Sequence, residues 1–180
     1  PSDDRPNLWG ENLQDHQPLV DQQEAVGHAV RAMYLYAAAT DVATLTEDAA
    51  LKSTVDRLWA SVFERKTYIT GAIGSTASGE AFGKDYELPN DTAYAETCAN
   101  LATCFWNYRM FLLHDDRKYI DMLERSLYNG VASGVALDGK TFFYPNPLAS
   151  KGNYSRSKWF DCACCPTNIC RFVPSVPGYA

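Results

Sequence analysis

The cysteines of this 180-residue chain are unevenly placed, and three of its six cysteines fall in one short motif near the carboxyl end. That motif is Cys162-Ala163-Cys164-Cys165-Pro166, while a carboxylate and another thiol stand far upstream in Glu96-Thr97-Cys98. Zinc binds thiolate sulfur and carboxylate oxygen in tetrahedral sets, and ligands separated by a long stretch of chain let the metal join distant segments. Adjacent cysteines are poorly placed to bridge each other, whereas a metal would stabilise a dense cluster of thiolates. A zinc site is therefore the first hypothesis.

The same cysteines allow other interpretations. Free cysteine is among the most buried residue types, so Cys98, Cys104 and Cys170 fit equally well as small apolar side chains of a core. A thiol redox protein would instead form a disulfide from Cys98 to Cys164 or Cys165 and hold no metal. Zinc can also be purely structural, held by four protein ligands that only keep loops together.

Composition limits the partners of the protein. A formal net charge of -6 argues against a nucleic-acid or anionic-membrane surface, since either would require a basic patch. With 46% hydrophobic and 21% charged residues, the chain is typical of one soluble globular domain. No apolar run approaches the length of a transmembrane helix. We therefore expect neither a nucleic-acid nor a membrane partner, and the oligomeric state stays open.

Apolar residues recur at helical spacing in four segments. The first predicted helix runs over Val20–Ala43, and the second runs from a cap at Thr46 or Asp48 to Phe63. The third predicted helix reaches to about His114. The fourth runs from about Asp116 to Asn129, where Gly130 would end it. Between the second and third helices, residues 69–90 contain too many glycines for a regular element. Loops of this length in compact domains are usually binding or catalytic segments, and the apolar residues within this one favour order.

The pattern changes after Gly130. Asp138-Gly139 predicts a hairpin turn between short strands at 135–137 and 141–144, and Pro166 predicts the start of a short helix through Phe172. Successive antiparallel helices joined by functional loops indicate a mainly α, layered or toroidal architecture.

Four runs of the sequence carry a family resemblance. They are EAVGHAVR at 24–31, GEAF at 79–82, YELPNDTAYAETCA at 86–99 and WFDCACCP at 159–166. In this order they resemble glycoside hydrolase family 127, the β-L-arabinofuranosidases. Members of that family are several times longer, with a complete (α/α)6 barrel followed by β-sandwich domains. The resemblance implies that residues 1–180 form a single domain, the C-terminal portion of an (α/α)6 toroid, with a short β-hairpin and long functional loops.

The resemblance also implies a mechanism and a compartment. It implies a retaining exo-glycosidase that releases β-linked L-arabinofuranose, with Glu80 as the acid/base and Cys164 as a zinc-bound nucleophile. His28 would contact the sugar, and zinc would be the cofactor. The implied ligands of the metal are Glu96, Cys98, Cys164 and Cys165. The substrate partner is then a carbohydrate, the location a bacterial cytoplasm or periplasm, and this portion alone is expected to be inactive.

The residues themselves leave several of these roles open. Glu80 and Glu87 lie on the same long loop, and only the motif favours Glu80; an apolar neighbour would raise its pKa toward the value that a general acid needs. His28 falls in a predicted apolar helix, where a histidine is often a core residue, although Gly27 beside it indicates close approach of another group, as in a ligand pocket.

Aromatic residues provide further candidates for sugar contact. Tyr94, Tyr144 and Trp159 are possible sugar platforms, and Tyr144 is taken as substrate-binding, although aromatic side chains also serve ordinary cores.

One local prediction follows from helix geometry. Residues two apart in an α-helix point about 200° away from each other, so Glu96 and Cys98 cannot both reach one ion from inside a helix. The third helix should therefore begin at or after Thr97.

Two functions remain in competition. They are the zinc-dependent cysteine glycosidase and a non-enzymatic zinc-stabilised helical domain. The enzyme would leave one thiolate facing a pocket with Glu80 opposite, whereas a structural site would bury all its sulfurs.

Overall fold

The computed structural model describes residues 10–179, and this part of the chain is mainly helical, as predicted. Its α-helices are α1 (Ala29–Thr46), α2 (Ala49–Arg65), α3 (Thr97–His114), α4 (Arg117–Ser126) and α5 (Cys164–Phe172). Single turns of 3-10 helix lie at Glu11–Leu13, Leu19–Asp21, Ser78–Glu80 and Ala132–Gly134, a longer one at Val173–Tyr179, and a π-helical turn at Leu127–Val131. Over the described residues, none of these helices combines the length and the apolar character needed to cross a bilayer.

Helices α1 to α4 form two antiparallel hairpins that pack side by side, an arrangement that fits part of an (α/α)6 toroid. Two residues join α1 to α2, and the second of them, Asp48, caps α2 by accepting from the N–H groups of Ala50 and Leu51 at 2.9 and 3.0 Å. The predicted start of this helix is confirmed. The cap is Asp48, because Thr46 is the last residue of α1.

Helix α1 begins later than predicted, at Ala29 and not at Val20. Carbonyl groups of the preceding segment accept hydrogen bonds from α2 and from its C-cap residue: Arg57 Nε donates to Gln22 O at 3.0 Å, and Lys66 Nζ donates to Ala25 O at 2.8 Å. Gly27 has a φ of 71°, which interrupts any helix there. His28 is consequently the N-cap residue of α1 and not a residue of the helix interior.

Helix α3 crosses the centre of the domain, between α1 and α4. Trp106 is fully buried, packs on Tyr36 with ring centroids 5.1 Å apart, and donates through Nε1 to Thr40 Oγ1 at 3.0 Å. Trp59 on α2 donates through Nε1 to Asn107 Oδ1 of α3 at 2.8 Å. These aromatic residues belong to the core, and they pack the middle of α3 against the middle of α1 and against α2.

Gly130 does not end the fourth helix as predicted. The chain continues through a π-helical turn and then a 3-10 turn, and a Cβ at Gly130 would lie 2.4 Å from Asn100 Cγ of α3. The glycine is therefore required by close packing on α3. Its carbonyl accepts from Asn146 Nδ2 at 3.3 Å, which attaches the next loop to the helix.

The predicted hairpin is reduced to a turn with single bridges. The turn at Asp138-Gly139 is present, with Gly139 N donating to Ala136 O at 2.8 Å. Only isolated antiparallel bridges join Val135 to Phe142 and Phe142 to Ser157, so residues 10–179 contain no extended strand pair. Val135 and Phe142 are half-buried against the helices, whereas Leu137 is fully exposed, and helix contacts replace the further strands that a stable sheet would need.

Candidate active site and metal cluster

Three helix N-termini converge on one region of the domain. His28 is the N-cap residue of α1, Glu96 is that of α3, and Cys164 is the first residue of α5. A helix N-terminus carries a partial positive charge, which favours ionised carboxylates and thiolates nearby. The region is therefore suited to hold several acidic groups together.

The structure brings the four predicted zinc ligands into contact. We call Glu96, Cys98, Cys164 and Cys165 the thiol cluster; one ligand atom from each lies within 4.8 Å of all the others. The Sγ atom of Cys165 lies 3.4 Å from that of Cys98 and 3.6 Å from that of Cys164. Glu96 Oε1 lies 3.5 Å from Cys164 Sγ and 3.7 Å from Cys165 Sγ.

The backbone before α3 lets Glu96 and Cys98 share one side. Helix α3 begins at Thr97, which confirms the prediction, and Glu96 itself is extended, with φ -53° and ψ 136°. Ala95 has a φ of 43°, in the left-handed region that side chains rarely adopt, and this reverses the direction of the chain. Thr97 N donates to Tyr144 O at 3.0 Å, so the turn is held by the later loop.

Zinc fits the donor set of the thiol cluster. Glu96 is buried, and its Oε2 atom has no hydrogen-bond partner within the described part of the chain. Burial first, and the neighbouring Cys164 second, raise the pKa of Glu96 to about 8. A cation would supply the missing partner of Glu96 Oε2, and three sulfurs with one carboxylate oxygen match the preference of zinc.

The three thiols of the cluster differ in pKa and in exposure. Hydrogen bonds from Cys165 and Cys98 lower the pKa of the Cys164 thiol. The neighbouring Cys164 in turn raises the pKa of the Cys98 and Cys165 thiols. Cys98 and Cys165 are buried, but Cys164 is only half-buried. The cluster thus favours a thiolate at Cys164, the one sulfur that solvent can reach.

The remaining cysteines are separate from the cluster. All six cysteines are free, so no disulfide joins Cys98 to Cys164 or Cys165. Cys104 is buried, as the core interpretation predicts. Cys170 is exposed, so its prediction as a core residue is wrong: it lies on the outer face of α5, whose inner face carries Cys165 and Ile169.

Glu80 lies beside the thiol cluster in an unusual backbone conformation. Gly79 and Glu80 have φ values of 69° and 51°, and such strain in a non-glycine residue is found mainly where surrounding contacts enforce it. Here the contacts are side-chain hydrogen bonds. His28 Nε2 lies 2.9 Å from Glu80 Oε2, Tyr94 Oη donates to Glu80 Oε1 at 3.0 Å, and Tyr144 Oη donates to the same oxygen at 3.4 Å.

The structure also separates Glu80 from its rival. Glu87 is exposed and accepts from Lys84 N at 2.9 Å within its own loop. Of the two glutamates, only Glu80 contacts His28 and the tyrosines.

His28 is half-buried, and burial lowers its pKa against the opposing effect of Glu80. Its Nδ1 atom is buried and has no partner among the described residues. Gly27 beside it does mark a close approach, but of the backbone: a Cβ there would lie 2.0 Å from Glu11 O. The close approach predicted at Gly27 is therefore confirmed, while its association with a ligand pocket stays a prediction.

Glu80 adjoins the thiol cluster through Glu96, whose carboxylate also lies 3.5 Å from Cys164 Sγ. His28, Glu80 and Glu96 each place one ligand atom within 4.8 Å of the other two. His28 and Glu80 thus form one continuous site with the thiol cluster.

Two contacts were not predicted from the sequence. Asn168 Nδ2 donates to Cys98 Sγ at 3.3 Å, and the hydroxyl of Tyr94 binds Glu80, where only a ring platform was expected. Asn168 follows Cys164 by four residues, so helical spacing on α5 could have revealed it. Trp159 is 61% exposed, and its predicted role as a platform stays a prediction.

The sequence of this chain matches a known enzyme family. The sequence profile described as "Beta-L-arabinofuranosidase, GH127 catalytic domain" matches residues 4–178. The non-reducing end β-L-arabinofuranosidase of Bifidobacterium longum subsp. longum is 43% identical over 178 residues, which cover 93% of this chain and 27% of that protein.

Solved structures agree with this match. A structure titled as a GH127 β-arabinofuranosidase is 57% identical with a TM-score of 0.92, covering 94% of this chain and 27% of that one. A GH127 β-L-arabinofuranosidase from Geobacillus stearothermophilus T6 is 48% identical with a TM-score of 0.91, covering 94% of this chain and 28% of that one. The chain therefore spans about a quarter of the length of these relatives. Because the match extends over residues 4–178 and includes the segments that build the site, the chain belongs to the catalytic domain of glycoside hydrolase family 127.

Proposed function

We propose that this chain forms part of the active site of a retaining glycoside hydrolase that releases β-linked L-arabinofuranose, with Cys164 as nucleophile and Glu80 as acid/base. One observation carries the proposal. The half-buried Cys164 thiol and the Glu80 carboxyl group come from distant segments and meet at Glu96, which lies within 4.8 Å of Glu80 and 3.5 Å from Cys164 Sγ. The names of the relatives support the same activity and sugar.

The first step needs an acid and a nucleophile next to the same anomeric carbon. The sulfur of Cys164 attacks that carbon, and the carbon–oxygen bond to the leaving group breaks. The proton of the Glu80 carboxyl group passes to the leaving oxygen. The sugar is then bound to sulfur, and Glu80 is a carboxylate.

The second step reverses these roles. The Glu80 carboxylate takes a proton from water, the water oxygen attacks the anomeric carbon, and the electron pair of the carbon–sulfur bond returns to Cys164. Two displacements at one carbon retain the configuration of the sugar. Tyr94 and Tyr144 hold one Glu80 oxygen, and His28 holds the other, so the carboxyl group is fixed for both transfers.

Zinc is the proposed cofactor, held by Glu96, Cys98, Cys164 and Cys165. When bound there, it would keep the Cys164 sulfur ionised at neutral pH without a neighbouring base. Four ionised ligands exceed the charge of the ion, and this excess negative charge would help the sulfur to remain nucleophilic.

Two side chains are proposed to contact the sugar. The buried Nδ1 atom of His28 would bind a sugar hydroxyl, since it has no partner within the described residues. The ring of Tyr144, which meets those of Tyr94 and Phe160 edge to face at 6.1 and 5.6 Å, would border the same space.

A zinc-stabilised domain without catalysis is the second candidate. Such a site would bury all its sulfurs and would need no carboxyl group held beside them. The partial exposure of Cys164 and the three hydrogen-bonding side chains around Glu80 favour the enzyme.

The test is to trap the sugar on sulfur in the complete enzyme. Glu80→Gln should still attack an aryl β-L-arabinofuranoside whose leaving group needs no protonation, but it cannot activate water. A pentosyl adduct should therefore accumulate on the peptide that contains Cys164, as read by mass spectrometry. The adduct should persist when Cys162→Ser is added. An adduct on another residue, or release of a sugar with inverted configuration, would overturn the mechanism.

A further inference from the structure

A second set of metal-ligating side chains lies beside the thiol cluster. His28, Glu80 and Glu96 each place one ligand atom within 4.8 Å of the other two, and of these three residues only Glu96 also belongs to the thiol cluster. We call them the histidine–carboxylate group. One imidazole and two carboxylates are donors that bind first-row divalent cations such as Zn²⁺.

His28 and Glu80 are already spaced almost as two ligands of one ion. His28 Nε2 lies 2.9 Å from Glu80 Oε2. Two ligand atoms on a tetrahedral zinc ion, each about 2.1 Å from the metal, lie about 3.4 Å apart. An ion can therefore replace this hydrogen bond when the two side chains part by about half an ångström. Tyr94 and Tyr144 donate to the other oxygen, Glu80 Oε1, so they need not move.

Glu96 gives an independent indication of a cation. The residue is 3% exposed, and its Oε2 atom has no hydrogen-bond partner within the described part of the chain. Its Oε1 atom lies 3.5 Å from Cys164 Sγ. A carboxylate has lone pairs on both oxygens and can bind a cation with each. An ion in the thiol cluster therefore leaves one oxygen of Glu96 for a second ion.

The backbone holds these ligands in place before any ion binds. Phe82 N donates to Gly27 O at 3.0 Å, which fixes the loop of Glu80 against the residue before His28. Glu96 is fixed separately, as the N-cap residue of α3. The side chains of His28 and Glu80 are 14% and 31% exposed, so an ion can reach them from solvent.

The charge of the region also favours a second cation. When ionised, Glu80 and the four members of the thiol cluster together exceed the charge of one zinc ion. Among residues 10–179, neither Glu80 nor Glu96 forms a salt bridge with a lysine or an arginine. A further divalent cation would offset this excess of negative charge.

We infer that the histidine–carboxylate group binds a second zinc ion, distinct from the ion proposed for the thiol cluster, and that this second ion inhibits the enzyme. An ion on Glu80 occupies the carboxyl group that must carry the proton, and it lies beside His28, the proposed sugar contact. Inhibition therefore rests on the proposed function, whereas binding of the ion does not.

The test uses the complete enzyme with one zinc ion already in the thiol cluster. Titration calorimetry with zinc chloride should detect a further ion that binds to this group. Titration with Co²⁺ should give the weak d–d bands of nitrogen and oxygen ligands, without a sulfur-to-metal charge-transfer band. Added zinc should also inhibit hydrolysis of an aryl β-L-arabinofuranoside in competition with the substrate.

Two variants locate the second ion. His28→Gln and Glu80→Gln each remove one ligand, and each should raise the Kd of that ion about tenfold or more while the ion of the thiol cluster remains. His114→Gln is the matched control, because His114 Nε2 lies 2.7 Å from Asp56 Oδ1 in a similar pair outside the site. It should keep the second ion. Cys162→Ser should keep it too, since the exposed Cys162 thiol is the nearest alternative ligand outside the two groups.

The outcomes separate the inference from the proposed function. Absence of a second ion, its retention in both His28→Gln and Glu80→Gln, or its loss in Cys162→Ser together with a charge-transfer band would overturn the inference. A second ion that is lost in the two ligand variants but does not inhibit the parent enzyme would leave the metal site in place and contradict the acid role of Glu80.

Discussion

At the residue scale, Glu80 is defined more by its neighbours than by its own position in the sequence. Two glutamates share the long loop, and only the family motif distinguished them in advance. In the fold, Glu80 alone receives hydrogen bonds from tyrosines and pairs with His28. Sequence could not reveal these partners, because they come from segments up to 64 residues away and meet only through the tertiary fold.

Glu80→Gln in the complete enzyme tests the acid role of this residue. The amide keeps the size of the side chain but cannot protonate the leaving oxygen, so kcat for alkyl glycosides should fall by about 10²–10⁴-fold. The loss should be smallest for aryl glycosides with acidic leaving groups, and zinc content should be unchanged. A loss that is independent of the leaving group, measured over a series of aryl glycosides, would contradict the assignment.

Cys164→Ser and Cys162→Ser form a matched pair for the nucleophile. Cys164 belongs to the thiol cluster, whereas Cys162 is exposed and outside it. Loss of the Cys164 sulfur should lower kcat by about 10³-fold or more and weaken zinc retention, as read by native mass spectrometry. Cys162→Ser should keep both metal and rate. Turnover of the Cys164→Ser enzyme at the parent rate would exclude the cysteine nucleophile.

At the element scale, periodicity and caps predicted the helices but not all of their ends. The Asp48 cap was one of two caps predicted from local chemistry, and the start of α3 was predicted correctly from the requirement that Glu96 and Cys98 reach one ion. The early start predicted for α1 and the stop predicted at Gly130 were wrong. In both cases tertiary contacts set the helix end. Arg57 and Lys66 donate hydrogen bonds to backbone carbonyls before α1, and close packing on Asn100 requires a glycine at position 130.

Lys66 is the C-cap residue of α2, and its side chain links the two loops that carry His28 and Glu80. Its side chain is 3% exposed, and Nζ lies 2.8 Å from Glu24 Oε2 and 3.7 Å from Asp85 Oδ1. Glu24 leads into His28, and Asp85 follows Glu80 on the long loop. A buried ammonium that joins both loops would keep Glu80 and His28 in register.

Lys66→Met in the complete enzyme should loosen both loops together. The change leaves the Ala25 carbonyl without its donor, a loss of about 1–3 kcal/mol. Amide hydrogen exchange should therefore become faster in both segments, 24–28 and 80–87. Lys52→Met is the control, because Lys52 lies on the same helix about four turns earlier. Faster exchange in only one of the two segments would show that Lys66 does not couple them.

At the scale of the whole molecule, the thiol cluster joins parts of the chain that are far apart in sequence. Glu96 and Cys164 are 68 residues apart, and helices α3 and α5 share few other polar contacts near the site. The motif predicted which residues would meet, but not that three helix N-termini would surround them. That arrangement depends on the packing of α1 and α3 through Trp106, which no short motif records.

Removal of zinc should therefore destabilise the catalytic domain. A metal that binds the folded cluster and not the unfolded chain contributes about 2.7 kcal/mol when its free concentration is 100 times the Kd. For a domain of 150–250 residues that corresponds to a fall in Tm of roughly 5–10 °C on complete chelation, and the fall should be smaller in the complete enzyme, of which this chain spans about a quarter. Calorimetry of the zinc-loaded and chelated enzyme measures the fall, and added zinc should restore the parent Tm. Glu96→Gln, which keeps the shape of the ligand but weakens it, should show a smaller difference between the two states. An unchanged melting curve after metal loss has been verified by mass spectrometry would mean that the four residues hold together without the ion, and the thiol cluster would then have to be stabilised by the hydrogen bonds among its own members.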